Sequence, residues 1–198
     1  PIDYQQKDSV RIMYLHVPAA FMAMGGYSLI AVASAVALIW RHPVADLTAK
    51  AAAPIGACFT FICLLTGSLW GQPTWGTWWV WDARLTSVLI LFFLYLGYIA
   101  LWQAYDDPTR AGRAAAILAL VGSVTVPIIH YSVVWWNTLH QGSSLSLSGS
   151  KIDPAMLRPL LLMTGAFAAY FATVLIYRLR SEIVARKLRT LRLAAAQG

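Results

Sequence analysis

Residues 70–84 read Trp-Gly-Gln-Pro-Thr-Trp-Gly-Thr-Trp-Trp-Val-Trp-Asp-Ala-Arg. Five of the nine tryptophans lie here, at Trp70, Trp75, Trp78, Trp79 and Trp81. Gly71, Pro73 and Gly76 punctuate the stretch, which predicts that its first half is not an uninterrupted helix. Long apolar segments stand on both sides. A loop this aromatic between two membrane spans either anchors the chain at the lipid surface or offers a flat apolar bed to a flat ligand.

The flanking segments set the fold class. Only 12% of the 198 residues are charged, against about a quarter in a typical soluble domain, and the mean hydropathy is +0.63. No Asp, Glu, Lys or Arg occurs in 12–40, 51–81, 85–105, 114–150 or 159–177. Each interval holds the ~20 apolar residues needed to cross a bilayer. The reading is an all-α, polytopic transmembrane bundle forming one domain over 1–198, with spans at about 18–40, 51–69, 84–104, 111–134 and 154–177. An outer tryptophan-rich loop at 70–83, an outer loop at 135–153 and a basic tail at 178–198 complete it. Pro127 should kink the fourth span. Asp82 and Asp107 are natural helix caps. Ser143–Ser150 reads as a Ser/Gly-rich surface loop.

The net charge of +7 is explained by membrane orientation before any nucleic-acid partner. Loops 41–50 and 105–113 and the tail carry ten of the fifteen basic residues, which assigns them to the cytoplasm. The tryptophan loop then faces outward with Pro1–His16 and 135–158. The polar opening Pro1–Val10 shows neither an initiating methionine nor a signal-peptide pattern, and a further segment is expected to precede it. Cys58 and Cys63 fall on different faces of one span and read as small core residues. No Cys-x-x-Cys-His run suggests covalent haem attachment.

Four histidines are present: His16, His42, His130 and His140. The topology places His16 and His140 on the outer side, at the ends of spans flanking the tryptophan loop. Two ligands are too few for structural zinc, which takes four, but they suit the two axial positions of a haem iron. A hydrogen-bonding anchor at the interface is the plainer alternative for each. The tryptophans are equally two-sided. An interfacial belt accounts for Trp40, Trp70 and Trp102; four tryptophans in the seven residues 75–81 also suit a stacking platform for a macrocycle. Arg11 and Arg84 are the outer cations near this group and candidates for propionate contacts. Arg84, in a helix first turn, calls for an anionic partner. Asp82 is open to three roles: helix cap, partner of Arg84, or orienter of a ligand.

Trp75-Gly76-Thr77-Trp78-Trp79-Val80-Trp81-Asp82 resembles the "WWD" signature of haem-handling membrane proteins of cytochrome c biogenesis. Tyr14-Leu15-His16-Val17-Pro18-Ala19-Ala20, Asp82-Ala83-Arg84-Leu85-Thr86-Ser87, Pro127-Ile128-Ile129-His130-Tyr131-Ser132-Val133 and Trp135-Trp136-Asn137-Thr138-Leu139-His140-Gln141-Gly142 extend the likeness to the haem exporter protein C (CcmC) family. The family usually has six spans, so the resemblance implies that the first precedes Pro1. It implies non-covalent haem b at the periplasmic face of the bacterial inner membrane, held by the tryptophan loop with His16 and His140 as axial ligands. It implies delivery to a membrane-tethered CcmE-type chaperone, with a single-span CcmD-type protein and the ABC transporter subunits CcmA and CcmB as partners. The expected role is haem transfer rather than conventional catalysis, with no catalytic residue. A transmembrane haem transporter and a structural, permease-like ABC subunit are the alternatives. A complete cytochrome c synthase would need a larger chain.

Overall fold

The computed structural model describes residues 6–140, 142, 145–146 and 149–196. It is all-α, with five helical stretches long and apolar enough to cross a membrane. A 3-10 turn, Asp8–Ile12, leads into α1 (Met13–Trp40), followed by α2 (Ala45–Trp75), α3 (Ala83–Ala104), α4 (Pro108–Gly122), α5 (Thr125–Trp135) and α6 (Pro154–Ala195). Before α6, Leu145–Ser146 pairs antiparallel with Gly149–Ser150. The rest of the expected Ser/Gly loop lies outside the described residues.

Small residues let the helices approach and tyrosines fill what remains. Tyr27, Tyr95 and Tyr98 are buried among Ala19, Ala23, Ala49, Ala53 and Ala119. The Tyr95 hydroxyl donates to the Ala23 carbonyl at 2.7 Å, which satisfies the phenol where no water reaches it. Gly56 makes room for the Tyr95 ring, since an added Cβ would run into it. The bundle has a tryptophan-loop end, where α1, α3 and α6 start and α2 and α5 finish, and a basic end opposite.

Helix boundaries depart from the expected spans at several places, and α2 begins at Ala45 rather than near 51. The first span begins at Met13 rather than 18, and Pro18 sits inside the helix. The Asp8–Ile12 turn runs directly into α1, so the helix is already nucleated upstream and loses one backbone bond at the proline. The second span continues through Gly71 and Pro73 to Trp75, and the expected loop 70–83 shrinks to 76–82. The proline again removes one bond, offset by tertiary contacts of Trp70 and Trp75. The actual stop is Gly76, at φ 76°, whose N–H closes on Gln72 O at 2.9 Å.

The fourth span breaks at Ser123–Val124, one turn before Pro127. Proline has no N–H for the carbonyl four residues back, and that carbonyl, Ser123 O, accepts from Val126 N at 3.1 Å instead. Finally, the expected tail does not leave the last span. α6 runs unbroken for 42 residues, about 63 Å at 1.5 Å per residue, roughly twice a bilayer core. Asp82 and Asp107 cap α3 and α4 as expected, accepting from Leu85 N at 2.7 Å and Thr109 N at 3.0 Å.

Candidate functional site at the tryptophan-loop end

Near its start α1 turns the His16 side chain toward α2. His16 Nδ1 lies 3.0 Å from the Cys63 carbonyl and 3.1 Å from Thr66 Oγ1. A carbonyl only accepts, so Nδ1 carries the hydrogen and Nε2 the lone pair. The Thr66 hydroxyl gives its own proton to Ile62 O at 2.6 Å, which leaves its oxygen free to accept from the imidazole. Gly67 completes this cradle: a Cβ there would stand 3.0 Å from His16 Cε1. Trp70 meets the ring edge-on at 5.8 Å and is itself tied to Gln6 Oε1 at 2.9 Å.

His140 lies in the segment after α5. Its Nδ1 is 3.1 Å from Asp82 Oδ2, and a carboxylate in this role accepts, so here too Nε2 is the free nitrogen. Of the three roles open to it Asp82 fills the helix cap through Oδ1, and its Oδ2 accepts from the His140 ring. Trp75 packs against His140 at 4.7 Å and 68°. Burial pushes the His140 pKa below its ordinary 6.5, Asp82 opposes this, and Arg84 adds to the lowering. The neutral imidazole is favoured.

Arg84 does not pair with Asp82 through a salt bridge among the described residues. Its Nε donates to Ser132 Oγ at 3.2 Å, and Nη2 lies 3.5 Å from the carbonyls of Ile129 and His130. α5 thus holds the guanidinium through one hydroxyl and two carbonyl oxygens. His16 rests on Cys63, Thr66, Gly67 and Trp70 and His140 on Trp75, so the last turns of α2 bring α1 and the segment after α5 to one end of the bundle.

The tryptophan loop, 76–82, joins α2 to α3 beside this group. Trp78 and Trp81 are 58% and 75% exposed. Trp79 meets Trp81 edge-on at 5.5 Å, and its Nε1 is buried with no hydrogen-bond partner among the described residues. An orphaned donor beside exposed indole faces is what a ligand acceptor would satisfy. Among the described residues no three His, Cys, Asp or Glu side chains cluster as a site for a bare metal ion. The donor set fits an ion that brings most of its own ligands.

A family model described as "Heme exporter protein C" (CcmC) matches residues 1–194. Proteins named Heme exporter protein C from Bradyrhizobium diazoefficiens and Escherichia coli K12 are 56% and 58% identical, over 99% and 93% of this chain and 75% and 74% of their own lengths. The relative of that name from Rhodobacter capsulatus is 48% identical over 96% of the chain and 80% of its own length. The chain belongs to the heme exporter protein C family.

In this family member the expected site residues gather unequally. His16, Trp75, Asp82, Arg84 and His140 come together, with Gly76, Trp78, Trp79 and Trp81 on the adjoining loop. Arg11 stands apart on the Asp8–Ile12 turn, exposed and 3.2 Å from Asp8. His130 turns an exposed ring against Tyr131 at 4.8 Å. Sequence reasoning missed Thr66, Gly67 and Ser132, which hold His16 and Arg84 from neighbouring helices. They read as ordinary small residues of apolar spans, and only the tertiary pairing distinguishes them.

Proposed function

We propose that this chain binds haem b non-covalently at the tryptophan-loop end, facing the periplasm of a bacterial inner membrane, and presents it to a membrane-tethered CcmE-type chaperone. The observation that carries this reading is the matched pair of histidines. Each has Nδ1–H committed to a protein acceptor, with no partner of Nε2 among the described residues, beside a loop with exposed tryptophans. The name shared by its relatives agrees with it.

Haem supplies four equatorial nitrogens and leaves two axial positions, which His16 Nε2 and His140 Nε2 would fill. The two are not equivalent. His140 is backed by a carboxylate, the arrangement that raises the basicity of a metal-bound imidazole, whereas His16 is backed by a neutral carbonyl and hydroxyl. His140 is the firmer anchor and His16 the ligand more readily exchanged. Trp78 and Trp81 would give the macrocycle an apolar bed. The protein orients the cargo; the chemistry of attachment belongs to the haem and its acceptor. A CcmD-type subunit and the CcmA and CcmB transporter subunits are the proposed assembly partners.

Transit of haem through this chain is the second reading. The filling of the space between α1, α2, α3 and α4 by Tyr27, Tyr95 and Tyr98 weighs against it. A permease-like role without haem leaves the orphaned Trp79 donor and the two held histidines unexplained. Reconstitution with haem and a CcmE-type chaperone tests the proposal. Haem covalently attached to the chaperone is expected with the parent and at less than about a tenth of that yield with His140→Ala. Equal loading by the variant would refute the site.

A further inference from the structure

Beyond Tyr177, α6 continues for 18 residues to Ala195, an arm of about 27 Å. Its orientation is fixed. Arg178 Nε donates to Ala51 O at 3.1 Å, Glu182 pairs with Lys50 at 2.8 Å, Arg186 pairs with Asp46, and Arg189 Nη2 donates to Asp106 O at 3.2 Å. These positions recur at i, i+4, i+8 and i+11, so one face of the arm is tied to the basic end of the bundle.

A different face carries Tyr177, Ser181, Val184, Leu188 and Leu191. They are spaced by alternating four- and three-residue steps, the pattern of a coiled-coil seam. At 100° per residue this seam lies roughly 135° around the helix from the tied face. Val184, Leu188 and Leu191 are 53%, 49% and 66% exposed. A shallow concavity of about 470 Å³ opens along Tyr177, Arg180, Ser181, Val184, Ala185 and Leu188. The flanking positions hold Arg180, Lys187 and Arg192, which make no ion pair among the described residues.

We propose that this arm docks an amphipathic helix of a different protein, one whose apolar seam is flanked by carboxylates. Charge decides against a second copy. In a parallel pairing Lys187 would face Arg192 of the other arm, and in an antiparallel pairing like flanks would meet like. Geometry decides against a lipid surface. The arm is the straight continuation of a spanning helix, so Val184 to Arg192 lie roughly 10–22 Å beyond Tyr177. The ion pairs with Asp46 and Lys50 in the first turns of α2 hold it there instead of letting it lie down.

The test uses the full chain in phosphatidylcholine nanodiscs and two labelled helical peptides with the same leucine seam. One has glutamates at the flanking positions and the other lysines. The glutamate peptide is expected to bind at least about tenfold more tightly. Joint Arg180→Glu, Lys187→Glu and Arg192→Glu substitution should reverse the preference. Val184→Ser with Leu188→Ser should abolish binding of both peptides while circular dichroism stays unchanged. Equal affinities, no binding, or a preference indifferent to charge reversal would overturn the proposal. So would a spin label at Leu188→Cys that buries into phosphatidylserine nanodiscs, which marks the membrane as occupant. A disulfide between two Leu188→Cys copies in the parent background would do the same by marking self-association.

Discussion

Gly67 shows how much of the site depends on a side chain that is absent. Gly67→Ala would place a methyl 3.0 Å from His16 Cε1, closer than most real contacts. The ring must move by a few tenths of an ångström, which strains its bonds to Cys63 O and Thr66 Oγ1. Haem affinity is expected to fall several-fold with little loss of thermal stability, read by haem titration beside a melting curve. An unchanged affinity would detach His16 from the site. His140 supplies a pH prediction. Its pKa lies below 6.5, so between that lowered value and 6.5 the unfolded chain binds a proton that the folded chain does not. The sign of linkage then makes stability rise with pH across that window. Titration of labelled histidine by NMR should find this ring protonating below 6.5, and lower still in Asp82→Asn, where the opposing carboxylate charge is gone. The chemistry-bearing types at 16, 82, 84 and 140 were legible in the sequence. The threonine and glycine that support them were not, because a Thr-Gly pair in an apolar span has no local mark of what packs against it.

Two prolines teach the same lesson for elements. Pro73 and Pro127 look alike as interruptions of apolar runs, yet α2 passes through one and the fourth span breaks before the other. At Pro73 the surrounding turn is held from outside by Trp70 on Gln6 and Trp75 on His140. At Pro127 the orphaned carbonyl finds a neighbour within its own turn, and the helix divides. Local propensity sets where a helix is weak; tertiary contacts decide whether it yields. Gly76 is the position where the loop cannot tolerate change. Its φ of 76° costs a residue with a side chain about 1 kcal/mol. Gly76→Ala should lower the melting temperature by a few degrees and alter the fluorescence of the loop tryptophans, although no atom stands within 4 Å of the added methyl. An identical spectrum would mean that the turn does not set the platform.

For the whole molecule, the five stretches able to cross a membrane were written in the five charge-free intervals, because a bilayer leaves few other ways to bury such segments. The length of α6 was not. Its change from apolar to basic at Arg178 marks where the environment changes, and nothing in that change ends a helix. The convergence of His16 and His140 from opposite ends of the sequence also needed the packed bundle to become visible. Orientation is testable at this scale. Lys151→Cys should react with an impermeant maleimide from the periplasmic side and Arg192→Cys from the cytoplasmic side. The reverse pattern would place the tryptophan loop in the cytoplasm and end the chaperone-loading account.

The most direct test of the central claim is the visible absorption spectrum of detergent-purified protein supplied with haem, beside His16→Ala and His140→Ala. The account predicts a haem band in the parent that is shifted or lost in both variants, with the larger loss at His140. A colourless parent, or either variant with unchanged haem content and an unchanged band, would contradict it.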